Sequence, residues 1–170
     1  GWGQGPQHSQ NFQSIFAHIP GLKVVAPATP YEVKGLLIAS IEDNNPVIFI
    51  EHRWLSSQVG EVPEDYYSLP IGKARILKEG KDLTIVSALE MAVESLYVAK
   101  ELEKRNIEVE VVNLCTIKPL DERTILNSLA KTGRLLVVDS GWMNFGVSAE
   151  VAAVVAEKGF DLLKVKIKRL

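Results

Sequence analysis

The chemistry of this chain near neutral pH rests on three histidines, because imidazole is the only unperturbed side chain that titrates between pH 5 and 8. His8 follows a loop with alternate glycines, GWGQGPQ, and precedes a predicted helix. Backbone N–H groups and the dipole at such an end favour a carboxylate or phosphate. The same field disfavours imidazolium, so His8 reads as a neutral histidine able to give or take a proton. No second titratable residue stands beside it in sequence, which leaves a capping histidine in a polar loop as the other open reading. His18 closes the same helix next to Ile19-Pro20-Gly21, where an imidazole suits the negative end of the dipole. His52, in Glu51-His52-Arg53, follows an apolar strand at the end where open α/β sheets place ligand crevices, yet a solvated turn residue is its expected role.

Other chemistries lack their residues. Cys115 is the single cysteine, which excludes an internal disulfide and a multi-cysteine metal site and fits a reducing, cytoplasmic compartment. No H-x-x-x-H pair, G-x-S-x-G elbow or GK[ST] loop occurs. The glycine-bearing loop 141–146 sits where a dinucleotide-binding turn would, but it lacks G-x-G-x-x-G spacing, and Trp142, Met143 and Phe145 would crowd a pyrophosphate. It reads as a packing or interface loop. Nineteen basic and twenty-one acidic residues leave a net charge of −2 with no long block of one sign, so nucleic acid is not an expected partner. No apolar run approaches the roughly 20 residues of a membrane span. No signal peptide is visible. With 46% hydrophobic and 24% charged residues, the 170-residue chain can bury a core.

The elements that must hold these side chains follow from periodicity. Phe12, Ile15, Phe16 and Ile19 predict a helix over 9–19 capped by Ser9. A short strand over 22–26 leads to a helix from Pro30 to about Ile41, opened by a Thr29/Glu32 capping box and ended by the turn Asp43-Asn44-Asn45-Pro46. The run VIFI at 47–50 reads as a strand buried on both faces. Periodicity is lost over 51–67, which reads as a linker, with a boundary near 66–70. Beyond it come an edge strand within 71–78, strands at 83–87, 107–113, 135–139 and 162–167, and helices between them. Ser87 with Glu90 reads as a second capping box, Asp121 as a helix cap and Gly133 as a helix stop. The fold class is α/β, two units meeting near 66–70, the second a mostly parallel sheet with right-handed crossovers.

Several segments resemble one family in its own order: QHSQ at 7–10, HIPGLKVVAPATPYEVKGLL at 18–37, DNNPV at 43–47, PIGKA at 70–74, TIKPLD at 116–121, KTGRLLVV at 131–138 and GWMNFGVSAE at 141–150. The family is the β subunit of the thiamine-diphosphate-dependent 2-oxoacid dehydrogenase decarboxylating component, of the pyruvate and branched-chain type. The resemblance covers essentially the whole chain. It implies that residues 1–66 are the second half of a pyrimidine-binding domain and 67–170 a Rossmann-like transketolase C-terminal domain, incomplete at its end. It implies a first half before Gly1, carrying the glutamate that activates the cofactor. His8 matches the family's active-site histidine, which contacts the 2-oxoacid or the lipoyl group. The family's potassium site maps onto main-chain carbonyls of Ser40, Ile41, Asp43 and Asn45; a cation at the negative end of a helix is physically sensible, and an ordinary turn is the other reading.

By the same resemblance the cofactor would be thiamine diphosphate with magnesium, held by the absent part and an α subunit and not by this chain. A second β subunit and a lipoyl acyltransferase component would be its other partners. The fragment by itself is expected to be inactive, and its incomplete first sheet to leave strand edges open to self-association. Two rivals stand beside this reading. One is a transketolase-like or deoxyxylulose-phosphate-synthase-like half-enzyme, which shares the PIGKA-like and KPLD-like segments. The other is a non-catalytic dimerisation or docking module using the aromatic loop.

Overall fold

The computed structural model describes residue 3 and residues 5–170. The first elements are a 3-10 turn, Pro6–His8, and the short helix α1, Gln13–His18. Strand β1, Lys23–Val25, leads to helix α2, Pro30–Glu42, and strand β2, Val47–Phe49. A 3-10 turn, Arg53–Ser57, then precedes β3, Arg75–Lys78, and β4, Leu83–Ser87. The rest is α3, Leu89–Glu103; β5, Val109–Asn113; β6, Thr116–Lys118; α4, Glu122–Thr132; β7, Leu135–Val138; α5, Val147–Lys158; and β8, Lys168–Arg169.

The strands form two sheets, ordered β2-β1-β6 and β3-β5-β4-β7-β8. In the larger sheet β5, β4, β7 and β8 run parallel and β3 is an antiparallel edge. Such a sheet needs apolar residues on both faces. Val86, Val112 and Val137 meet α4 and α5 through Ile125, Leu129 and Val151 in the main core, while Ile85, Val109 and Val111 pack with Ala99 of α3 in a second cluster.

The capping chemistry explains most helix boundaries. Thr29 Oγ1 accepts the Glu32 N–H while the Glu32 carboxylate accepts the Thr29 N–H, and Pro30 opens α2. Asp121 accepts from the Thr124 N–H and hydroxyl. Gly133 closes α4 in the left-handed region at φ 70°.

Five expectations are corrected. The first helix starts at Gln13, because the Ser9 hydroxyl donates to Gly5 O at 2.8 Å within the preceding turn and does not cap it. The 47–50 run is a half-buried edge strand, since β1 and not β2 is the centre of its sheet. Ser87 and Glu90 form no capping box. Ala88 is the N-cap of α3, Leu89 turns the chain at φ 53°, and the Ser87 hydroxyl faces Ser95. Residues 162–167 are not a strand; Leu162 ends the 3-10 turn Phe160–Leu162, while Leu163 and Ile167 follow in an irregular segment. All three pack on the core, and pairing waits until 168–169. The fifth concerns the small sheet. The free edge expected on the 22–26 strand is covered by β6, which pairs with β1 antiparallel, and the Ala26 N–H donates to Cys115 O at 2.8 Å.

One buried carboxylate ties the two sheets. Glu32 is fully buried; Oε2 accepts from the Ala28 N–H at 2.9 Å, the Thr29 N–H at 3.1 Å and Asn113 Nδ2 at 2.8 Å, and Oε1 from the Arg75 guanidinium at 2.9 Å. Arg75 lies 4.8 Å over the Tyr31 ring, which stacks on Tyr67. Removing one partner of a buried pair costs about 3–5 kcal/mol. The Arg75 side chain is 40% exposed, so water will replace part of its effect. Arg75→Ala is therefore expected to lower the unfolding free energy by about 2–3 kcal/mol, read in urea as a lower midpoint at unchanged slope.

Candidate functional site

The C-terminal ends of β1 and β2 open onto two clefts that share the segment Glu51-His52-Arg53. One, of about 400 Å³, has His8, Gln10, Gln13 and Arg53 as polar walls and Phe16, Ile48 and Leu89 among its apolar ones. The other, of about 740 Å³, lies toward the start of α2, with Thr29, Val33, Lys34 and Leu55. A third groove, about 770 Å³, runs between α1, β6 and the start of α5 and takes in His18.

His8 ends the Pro6–His8 turn, exposed on the rim of the smaller cleft. It does not sit at a helix N-terminus. Helix α1 begins five residues later and has only six residues, so the dipole argument for a neutral His8 falls away. What the fold supplies instead is a second histidine on the same cleft. His52, expected to be a solvated turn residue, has a side chain only 8% exposed. Its Nδ1 accepts the Trp54 N–H at 3.4 Å and its Nε2 lies 3.4 Å from Glu90 Oε1. Burial pushes the His52 imidazole below its ordinary value, against the opposing pull of Glu90.

The sequence reading missed the groups behind this wall. Gln13 is buried in the first turn of α1 and donates to Asp139 Oδ1 at 3.1 Å across the end of β7. A Cβ on Gly141 would come within 3.1 Å of both side chains, which accounts for glycine there. Glu90 had a signal, but the S-x-x-E spacing pointed to a cap and not to a histidine 38 positions earlier. Among the described residues Glu90 Oε2 and Asp139 Oδ2 are buried without a hydrogen-bond partner.

Around the DNNP turn, the Asp43 carboxylate bonds Lys23 Nζ at 2.5 Å and accepts from the Asn45 N–H and side-chain amide at 2.8 and 2.9 Å. The Lys23 hydrogen bond, with those of Asn45, holds the Asp43 carboxyl at about 2. Ser40 Oγ donates to Leu36 O within α2. No cluster of three or more His, Cys, Asp or Glu placed to hold a metal occurs among the described residues. In the 141–146 loop Trp142 and Phe145 are exposed, so they do not pack on this chain, and Gly146 allows a close approach of the Trp142 carbonyl that no Cβ would permit.

Against known families, residues 72–170 match the transketolase C-terminal domain and residues 2–58 the transketolase pyrimidine binding domain. The chain belongs to the transketolase family. Within it, this chain is 46% identical over 170 residues to the acetoin:2,6-dichlorophenolindophenol oxidoreductase subunit beta of Bacillus subtilis, covering 100% of this chain and 50% of the relative. It is 47% identical over 164 residues to the pyruvate dehydrogenase E1 component subunit beta of Staphylococcus epidermidis, covering 96% and 50%. A solved structure described as a split gene transketolase, inactive beta4 tetramer, matches with TM-score 0.79 at 27% identity over 92% of this chain and 50% of that one. This transketolase-family chain thus spans about half the length of the curated relatives it matches.

The lowered His52 value fixes a sign for acid stability. The folded state binds its proton less readily than the unfolded state, so the contribution is present above the ordinary value of 6.5 and is lost as pH falls below it. Urea unfolding at pH 7.5 and 5.5 is expected to show lower stability at 5.5, and His52→Gln should flatten that difference. Asp43 does not mask it, because its own loss runs from 3.8 down to about 2.

Proposed function

We propose that this chain forms half of the β subunit of a 2-oxoacid dehydrogenase decarboxylating component, which removes CO2 from a 2-oxoacid and passes the acyl group to lipoamide. The observation that carries this is the His8 cleft. It places two imidazoles, a guanidinium and side-chain amides over an apolar wall, with Glu51 as the one carboxylate opposed by Arg53, a fit for a small carboxylate with a short apolar tail. The likeness to pyruvate dehydrogenase β subunits across nearly the whole chain supports it. Residues 1–66 would be the partial pyrimidine-binding unit and 67–170 the C-terminal unit, in a cytoplasmic protein; no helix among the described residues is long and apolar enough to cross a membrane.

In this reading His8 is the catalytic residue, contacting the substrate or the lipoyl group and holding a proton at one ring nitrogen, while Arg53 faces the carboxylate. Thiamine diphosphate, when bound, would supply the carbon that attacks the substrate carbonyl. By the family likeness, magnesium and the diphosphate would be held by an α subunit. A second β subunit and the acyltransferase component complete the assembly, and the Trp142–Phe145 loop offers it an exposed apolar contact. Potassium would sit on the carbonyls of Ser40, Ile41, Asp43 and Asn45. Helix α2 has no basic residue in its last turn and leaves through an extended Asp43, so the dipole end is not neutralised from within the helix.

A second substrate class is favoured by one observation: the acetoin oxidoreductase relatives are as similar as the pyruvate dehydrogenase ones, at 46–47% against 44–47%. Pyruvate and acetoin offered to the full-length subunit, assembled with its α partner, decide between them. In that assembly His8→Ala is expected to lower acyl transfer about 10²–10⁴-fold with cofactor binding nearly intact. Calorimetry on this chain alone should show no tight thiamine diphosphate binding. Unchanged turnover in His8→Ala would remove His8 from the mechanism.

A further inference from the structure

The segment 51–53 forms a wall of both clefts, and His52 is its anchor. Because Nδ1 accepts the Trp54 N–H, that nitrogen carries the lone pair, and the ring proton of the neutral form belongs on Nε2, facing Glu90 Oε1. Both side chains are less than a tenth exposed. Glu90 is costly where it stands: its second oxygen is buried without a partner among the described residues. The backbone that delivers it is also strained, since Leu89 is a buried non-glycine residue at φ 53°. Strain and an unsatisfied carboxylate at one turn, beside a cleft, indicate a group kept for a task other than packing.

We propose that Glu90 is a positioning residue of the His8 cleft, accepting the Nε2–H of a His52 whose Nδ1 takes the Trp54 N–H and so fixing the ring orientation that sets the Glu51–Arg53 wall. The catalytic consequence rests on the reading of that cleft as the reacting site; the tautomer does not. The charged side chain facing the His52 ring is Glu90 from α3; Glu51 and Arg53 flank it on its own segment, and His8 lines the same cleft.

Long-range proton–nitrogen correlation spectra of this chain are expected to show His52 protonated at Nε2 near neutral pH. Glu90→Gln keeps an acceptor for the Nε2–H; Glu90→Leu removes it and leaves the ring held by the Trp54 N–H on Nδ1 alone, which should shift and broaden the His52 ring signals. In the full-length subunit assembled with its α partner, on whichever of pyruvate and acetoin the parent turns over, Glu90→Leu should lower kcat/KM on the order of 10–100-fold. Glu90→Gln should retain most of the rate with the acid limb of the pH profile moved to lower pH, because the carboxylate it removes favours imidazolium. An Nδ1–H tautomer overturns the proposal, as does a Glu90→Leu enzyme with altered spectrum but unaltered kinetics. If Glu90→Leu does not fold, an unmoved acid limb in Glu90→Gln overturns it. Unchanged turnover in His8→Ala would sink the reading of the cleft while the tautomer result stood, so the two failures are distinguishable.

Discussion

A fully buried carboxylate holds the architecture together. Glu32 is drawn from the first turn of α2, where its local duty is to complete a capping box. Its remaining acceptor capacity goes to Asn113 at the end of β5 and Arg75 on β3, both in the other sheet. A buried charge is tolerated only when its lone pairs are met. Two of its four donors, Asn113 and Arg75, are therefore geometric demands on where the larger sheet stands against α2, while the Ala28 and Thr29 N–H groups fix the carboxylate to its own helix start. Around it Gly35 lets Leu69 and Tyr67 approach the helix closely, so the connecting segment is pinned across the same junction.

Strand β6 answers the same demand from the opposite direction. After β5 the chain turns at Cys115, itself in the left-handed region and buried, and enters the small sheet beside β1. Burial pushes the Cys115 thiol far above its ordinary range, so it is inert in the folded protein. The matched transketolase segments, 2–58 and 72–170, are thus interleaved in the sheets: a strand from the second completes the sheet of the first.

This interleaving shapes the cleft. His8 arrives from the first residues, Glu51 to Arg53 from beyond β2, and Leu89 from the turn after β4. Glu90 lies behind that wall and Gln13 reaches across to Asp139. A cleft assembled from such distant segments depends on the junction that the Glu32 network holds, through geometry and not through contact.

Local physics was legible in the sequence. The Thr29-Pro30-Glu32 start, the Asp121 cap and the Gly133 stop follow from interactions within a few residues, and the structure shows them as read; the 83–87 and 147–158 bounds, read from apolar runs, stand as well. His8 was singled out by the family resemblance of its QHS segment and not by local physics; the fold places it on the rim of a cleft, away from a helix start. Where the reading failed, a distant partner had changed the outcome. Ser87 and Glu90 have the spacing of a cap, yet Glu90 turns to His52 and a left-handed Leu89 sets the helix start. The apolar 47–50 run says strand but not edge, because strand order is a property of the assembled sheet. Capping and turn formation are short-range and written in neighbouring residues; the burial of His52, the pairing of β6 and the meeting of Glu32 with Arg75 needed the whole chain to fold, since only packing decides which charges leave water together.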